Sequence, residues 1–226
     1  MARFTEEKIR QTLEFAYEKA ITGFPGIDSA MELAEFYKNK YQGDKLKQAN
    51  ALIRWQVAKS ATSGFVTGLF GLTAIPLTLP ANLASVLFFQ VRMVVAIAII
   101  GGYDPKDEKI RATSLTCLID ENMRFFLKEI GIKILKQITL KDVAKQLSGG
   151  TVIRITHIIG LRLLAKFGSK GAANLTKMVP LIGGVIGGTV DAVWTRKTGQ
   201  NAKSWFIDNF LPSPHATFHQ NAGCGQ

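Results

Sequence analysis

The sequence predicts an all-α protein: a single multi-helix bundle with a Gly/Pro-rich apolar helical hairpin at its centre. Three observations predict it. Apolar residues recur three or four positions apart along most of the chain, the spacing of one buried helix face. Glycine, proline and short polar clusters fall between these segments, where helices end. From Ser60 to Val91 the chain runs for 32 residues without Asp, Glu, Lys or Arg, although 20% of all residues are charged. With 226 residues and 47% hydrophobic content, one domain can bury a full core without disulfides. Neither Cys117 nor Cys224 is placed for a structural bridge, so nothing points to an oxidising compartment.

Thr5 is suited to cap a first helix whose opening turn holds Glu6, Glu7 and Lys8. Ile9, Leu13, Ala16, Tyr17 and Ala20 form its buried stripe, and Gly23-Phe24-Pro25-Gly26 ends it. Asp28 or Ser29 opens a second helix through Tyr37, and the polar run 39–44 turns the chain. A third helix is expected from about Lys45 through Ala61, carrying Ala49, Leu52, Ile53, Gln56 and Ser60 on adjacent turns. Pro76 and Pro80 split the apolar block that follows. Its second half, Ala81 to Ile100, is a helix candidate about 30 Å long. Gly101-Gly102-Tyr103-Asp104-Pro105 stops it. Amphipathic helices are expected near 107–129 and 131–147, then Val152 to Phe167, a Gly-rich apolar unit from Met178 to Val190, and a closing helix from Ala202 to Phe210. The N-terminus lacks the apolar core and cleavage site of a signal peptide, which places the chain in the cytoplasm or at the inner face of the membrane.

Residues 60–100 are long enough to pose the question of a membrane. Lys59 on one side and Asp104, Lys106 and Asp107 on the other suit a hairpin with both ends on one side. Gly64, Gly68 and Gly71, the break at Pro76, and Arg92 beside Gln90 argue against simple spanning helices, since a central Arg costs roughly 2.5–3.5 kcal/mol on insertion scales. A buried or membrane-inserting helical pair is expected instead. Close helix packing falls to Gly64 and Gly68 and to the four-spaced pairs Gly183/Gly187 and Gly184/Gly188. Gln90, Arg92 and Asp191 are expected as an internal polar cluster, with an Arg92–Asp191 pair fixing helix register.

The net charge of +11 is unevenly spread. Residues 1–59 carry ten basic and eight acidic side chains, and 104–147 carry nine and seven. From 148 to 203 there are eight basic residues against Asp191 alone. Such a segment attracts anionic lipid headgroups at roughly 1 kcal/mol per Lys or Arg close to the surface. Arg162, Lys166 and Lys170 are the candidates for headgroup contact. Aromatics are not interleaved with these charges and no nucleic-acid motif occurs, so no nucleic acid is expected as a partner.

Several blocks in order carry a family resemblance: Thr22-Gly23-Phe24-Pro25-Gly26, Leu52-Ile53-Arg54-Trp55-Gln56, Ser63-Gly64-Phe65, Gly68-Leu69-Phe70-Gly71-Leu72, and Ile75-Pro76 through Ala81-Asn82. Gln90-Val91-Arg92-Met93, Gly102-Tyr103-Asp104, Gly160-Leu161-Arg162-Leu163, Lys166-Phe167-Gly168 and Pro180 through Gly188 to Asp191 continue the pattern. The chain resembles the EcsC protein family over roughly residues 10–210. Residues 1–211 are therefore read as one EcsC-like helical domain and 212–226 as a disordered tail. The family is named for a gene lying beside those of a bacterial ABC transporter and has no agreed activity. The resemblance implies a bacterial, helical, membrane-linked protein and supplies no catalytic residues.

Chemistry sought independently is sparse. His157 stands alone on an apolar helix, and His215, His219 and Cys224 in the tail lack hydrophobic anchors to hold a metal site. Gly184, Gly187 and Gly188 sit near Thr189 without the Lys of a phosphate loop. Cys117 has no neighbouring His to act as base. No catalytic residue, metal or cofactor is expected. Three functions stay open: a non-enzymatic membrane-associated protein that binds anionic lipid or inserts its hairpin, with Trp55, Trp194 and Trp205 at the interface; an interaction subunit docking to a transporter or to itself through glycine rows; and a soluble carrier of an apolar ligand.

Overall fold

A computed structural model of the chain describes residues 6–24, 26–61, 81–118 and 180–208, with side chains for 10–24, 26–60, 86–118 and 192–208. These residues form six α-helices and no strand: α1 (Glu6–Thr22), α2 (Ala30–Lys40), α3 (Lys45–Ala61), α4 (Ala81–Gly101), α5 (Glu108–Thr116) and α6 (Pro180–Phe206). The fold is all-α, as the apolar spacing requires. Expectations for 62–80 and 119–179, including Gly64, Gly68, Arg162, Lys166, Lys170 and His157, lie outside the described residues, as do His215, His219 and Cys224 in the tail.

Local chemistry explains the ends. Ser29 caps α2 in a reciprocal box: its hydroxyl accepts from the Glu32 N–H (3.2 Å), and the Glu32 carboxylate accepts from the Ser29 N–H (2.7 Å) and hydroxyl (2.8 Å). Hydrogen bonds from Ser29, the backbone one foremost, hold the Glu32 carboxyl below its ordinary pKa. Asp107 caps α5 by accepting from the N–H groups of Lys109 and Ile110. At the end of α4, Gly102 takes φ +98°, a region open to glycine. Its N–H donates to Ile99 O, and that of Tyr103 to Ala98 O, closing the helix with the paired bonds of a Schellman turn.

Helix α4 is the axis of the bundle. It packs against α1, α2, α3, α5 and α6. From Val86 to Gly101 every side chain but the half-buried Phe89 is buried. A helix apolar all round needs such a jacket. No helix among the described residues is long and apolar enough to cross a membrane. Of the five buried positions predicted for α1, Leu13, Ala16, Tyr17 and Ala20 face the core, and the Ile9 side chain lies outside the described residues; Ala49, Leu52, Ile53, Gln56 and Ser60 of α3 face the core too.

Polar ties set the helix directions. Lys45 at the start of α3 donates from Nζ to Gly101 O at the end of α4 (2.8 Å), so the two helices run antiparallel. That ammonium also suits the negative end of the α4 dipole. A Cβ on Gly101 would lie 2.4 Å from Phe206 O, which puts the ends of α4 and α6 together and makes them parallel. Tyr17 Oη donates to Pro105 O (2.8 Å), tying α1 to the loop after α4.

Two expectations change. The Gly-rich unit and the closing helix are parts of one continuous helix of 27 residues, α6, rather than two separate elements. Glycine lowers helix propensity by about 1 kcal/mol each, yet the helix runs unbroken through Gly183, Gly184, Gly187 and Gly188. Helix α5 ends at Thr116 instead of continuing. There the Thr116 hydroxyl (2.6 Å) and the Cys117 thiol (3.3 Å) both donate to Thr113 O, competing with the backbone ladder.

Candidate functional site

Two features of the described residues stand apart from an ordinary apolar core: an internal polar layer, and a basic outer face on α3 and α6.

The internal layer follows from the antiparallel pairing of α3 and α4. Gln56 and Gln90 each lie eleven residues from the Lys45–Gly101 junction, which sets them at one height, about 16 Å into the bundle. Gln56 is 2% exposed and Gln90 1%. The Thr198 hydroxyl of α6 donates to Gln90 Oε1 (3.3 Å). Thr195, one turn earlier, is also buried. Both polar atoms of the Gln56 amide, Gln90 Nε2 and Thr195 Oγ1 have no hydrogen-bond partner among the described residues. Unpaired buried polar groups each cost about 1–3 kcal/mol, so this layer is a weak point of the core.

Arg92 lies two residues beyond Gln90 on α4 and turns elsewhere. Its Nη1 donates to Asp28 O (2.8 Å), the carbonyl just before the α2 cap, and its guanidinium stands 5.1 Å from the Phe89 ring centroid. Burial lowers its pKa, while the Asp28 charge and Tyr37 act the other way. Gln90 and Arg92 are thus both internal but have different neighbours. Asp191 lies on α6 one turn before Thr195, and its side chain, with any pair it makes to Arg92, lies outside the described residues. Gly183, Gly184, Gly187 and Gly188 fall in the first half of α6, and their packing is likewise outside them. The close approach that is described belongs to a glycine the sequence reading passed over. A Cβ on Gly199 would lie 2.8 Å from Ile53 Cγ1, so α3 and α6 meet there at nearly backbone distance. Its signal was the buried spacing Thr195, Thr198, Gly199, Ala202 on a single helix.

The tryptophans divide. Trp194 is 4% exposed and donates from Nε1 to Leu118 O (3.0 Å); Trp205 is 2% exposed. Both are core residues, which corrects their expected place at an interface: their helix turns them inward, into the core cluster, rather than outward. Trp55 is 53% exposed. The Lys59 ammonium lies 5.2 Å from its ring centroid. Arg54, Ala58 and Lys59 are exposed beside it, as are Val193, Arg196 and Lys197 on α6.

No reactive constellation accompanies these features. Among the described residues, no three His, Cys, Asp or Glu gather to hold a metal ion. Burial pushes the Cys117 thiol well above its ordinary pKa, so it is protonated at neutral pH and has no base beside it.

The fold and surface define a helical bundle with a buried apolar axis and a cationic outer face. Comparison with known families matches residues 4–207 to the EcsC protein family. The chain belongs to that family. No characterised protein and no solved structure matches it.

Proposed function

We propose that this is a non-enzymatic, membrane-associated protein that binds anionic lipid at the cytoplasmic face. The observation carrying this reading is the division of charge between two helix pairs. Helices α1 and α2 together hold five basic and six acidic residues, while α3 and α6 hold seven basic residues against Asp191 alone. Four of those seven, Arg54, Lys59, Arg196 and Lys197, are exposed and lie away from the α4 end that Lys45 contacts. An anionic bilayer attracts each cation near its surface by roughly 1 kcal/mol, within a screening length of about 10 Å at 0.1 M salt. A balanced face such as α1–α2 gains almost nothing from the same surface.

Attachment from the surface is favoured over insertion of the apolar hairpin. The Val86–Ile100 stretch of α4 is already covered by five helices, and exposing it to lipid would exchange one apolar environment for another while losing its packing. The purified protein should float with vesicles containing anionic phospholipid at low salt, be released at high salt, and ignore neutral vesicles. Failure to float with either vesicle removes the reading. Flotation that survives high salt replaces surface attachment with insertion.

A further inference from the structure

We infer that Trp55 is the residue that enters the lipid interface, and that the outer stripe of α3 around it is the membrane-contact surface, its partner being a bilayer bearing phosphate headgroups with net negative charge. This rests on the membrane reading above.

The outer face of α3 has the makings of such a contact. At about 100° of rotation per residue, Arg54 falls on one flank of Trp55 and Lys59 on the other, with Ala58 between the flanks. No carboxylate occurs anywhere in α3. The indole is the largest exposed apolar group of the helix, and Lys59 Nζ is held 5.2 Å from its ring centroid. An indole sitting at headgroup depth carries a cation in that position to the level of the phosphates. Arg54 adds a planar guanidinium, which meets phosphate with two parallel N–H donors.

Charge decides between this patch and its rival. Helix α2 also exposes large apolar side chains, Met31 and Phe36. Glu32 and Glu35 are exposed beside them and offset Lys38 and Lys40, the Lys40 ammonium lying 5.7 Å from the Phe36 ring centroid, so that face has no net charge for an anionic surface to attract. Among the described residues, the α3 stripe is the one that joins an exposed aromatic to cations on a helix without a carboxylate.

The chain supplies its own reporter. Of the three tryptophans, two are internal, so a change of environment on membrane contact is read from Trp55. The experiment mixes the full-length protein with phosphatidylcholine vesicles, with and without phosphatidylglycerol, and with acyl chains brominated for quenching. Native protein should show a shift of emission to shorter wavelength and bromolipid quenching with the anionic vesicles alone. Trp55→Phe should lose both signals, because Trp194 and Trp205 stay in the core. Trp55→Ala should partition about tenfold more weakly, the factor that corresponds to about 1.4 kcal/mol. Its far-UV circular dichroism should be native, since the side chain is more than half exposed. Flotation with unshifted, unquenched emission overturns the inference and leaves the membrane reading standing; so does native-strength flotation of Trp55→Ala. A blue shift that grows with protein concentration in the absence of vesicles assigns the stripe to a second copy of the chain and overturns it too. If the native protein does not float at all, the membrane reading itself has failed.

Discussion

Helices α3 and α4 run side by side in opposite directions, and they solve different problems. Helix α4 is almost wholly apolar and, from Val86 to Gly101, buried except for the half-buried Phe89: it supplies the core for five neighbours. Helix α3 spends one face on that core and leaves the other, with Arg54, Trp55, Ala58 and Lys59, to solvent. The more hydrophobic helix is therefore the one hidden in the bundle, and the less hydrophobic one presents cations and an exposed indole to the outside. Apolar run length measures how much jacket a helix needs. The contact surface is read from what the jacket leaves outside.

The comparison is tested most severely in α4. Leu87 is fully buried, and Leu87→Ala should destabilise the fold by about 2–5 kcal/mol, seen as a lower urea midpoint with little change in slope. A loss below about 1 kcal/mol would mean that α4 is not the packed axis. The inner face of α3 comes next. Gly199→Ala sets a methyl against Ile53, and should cost about 1–3 kcal/mol. Ile53→Ala in the same chain should recover part of that loss, and a double-mutant cycle reads the coupling; strict additivity would place the α3–α6 contact elsewhere.

A smaller effect probes the polar exception on α4. Burial, with Tyr41 adding to it and Arg92 opposing, raises the Tyr37 phenol from 10.0 to about 12. The folded state thus prefers the neutral phenol. That contribution is whole below pH 10 and is lost as the pH rises through about 12. Thermal midpoints should fall across this window, and Tyr37→Phe should flatten part of the fall. An identical profile in the variant would show that Tyr37 ionises freely. The smallest stability effect belongs to the outer face of α3: Trp55→Ala should stay within about 0.5 kcal/mol of native, although the same change is expected to weaken vesicle binding about tenfold under the proposed function. A large loss of stability there would make Trp55 a structural residue and erase the contrast.

Much of this was legible from residue order. Ser29, Lys45, Ala61, Ala81 and the stop at Gly101-Gly102 appear within a residue of where caps, glycines and prolines put them, because those signals act locally. The buried stripe of α3, with its polar members Gln56 and Ser60, follows from helical spacing. The unbroken course of α6 was not legible, since glycine propensity argues against a helix through Gly183, Gly184, Gly187 and Gly188. The Arg92 contact was hidden for another reason. Its described acceptor is a backbone carbonyl, which every residue possesses, so no side-chain chemistry marks Asp28 as the partner. Trp194 and Trp205 were indistinguishable from Trp55 by type, and helix rotation alone separates them.

The parallel seating of α6 against α4 bears on how the chain is made. Roughly a hundred residues separate the end of α4 from the end of the helix that completes its jacket. At synthesis rates of about 5–20 residues per second, the apolar axis waits roughly 5–20 seconds for that cover. During this interval the flank of α4 that α6 covers in the folded chain stays open on the nascent one.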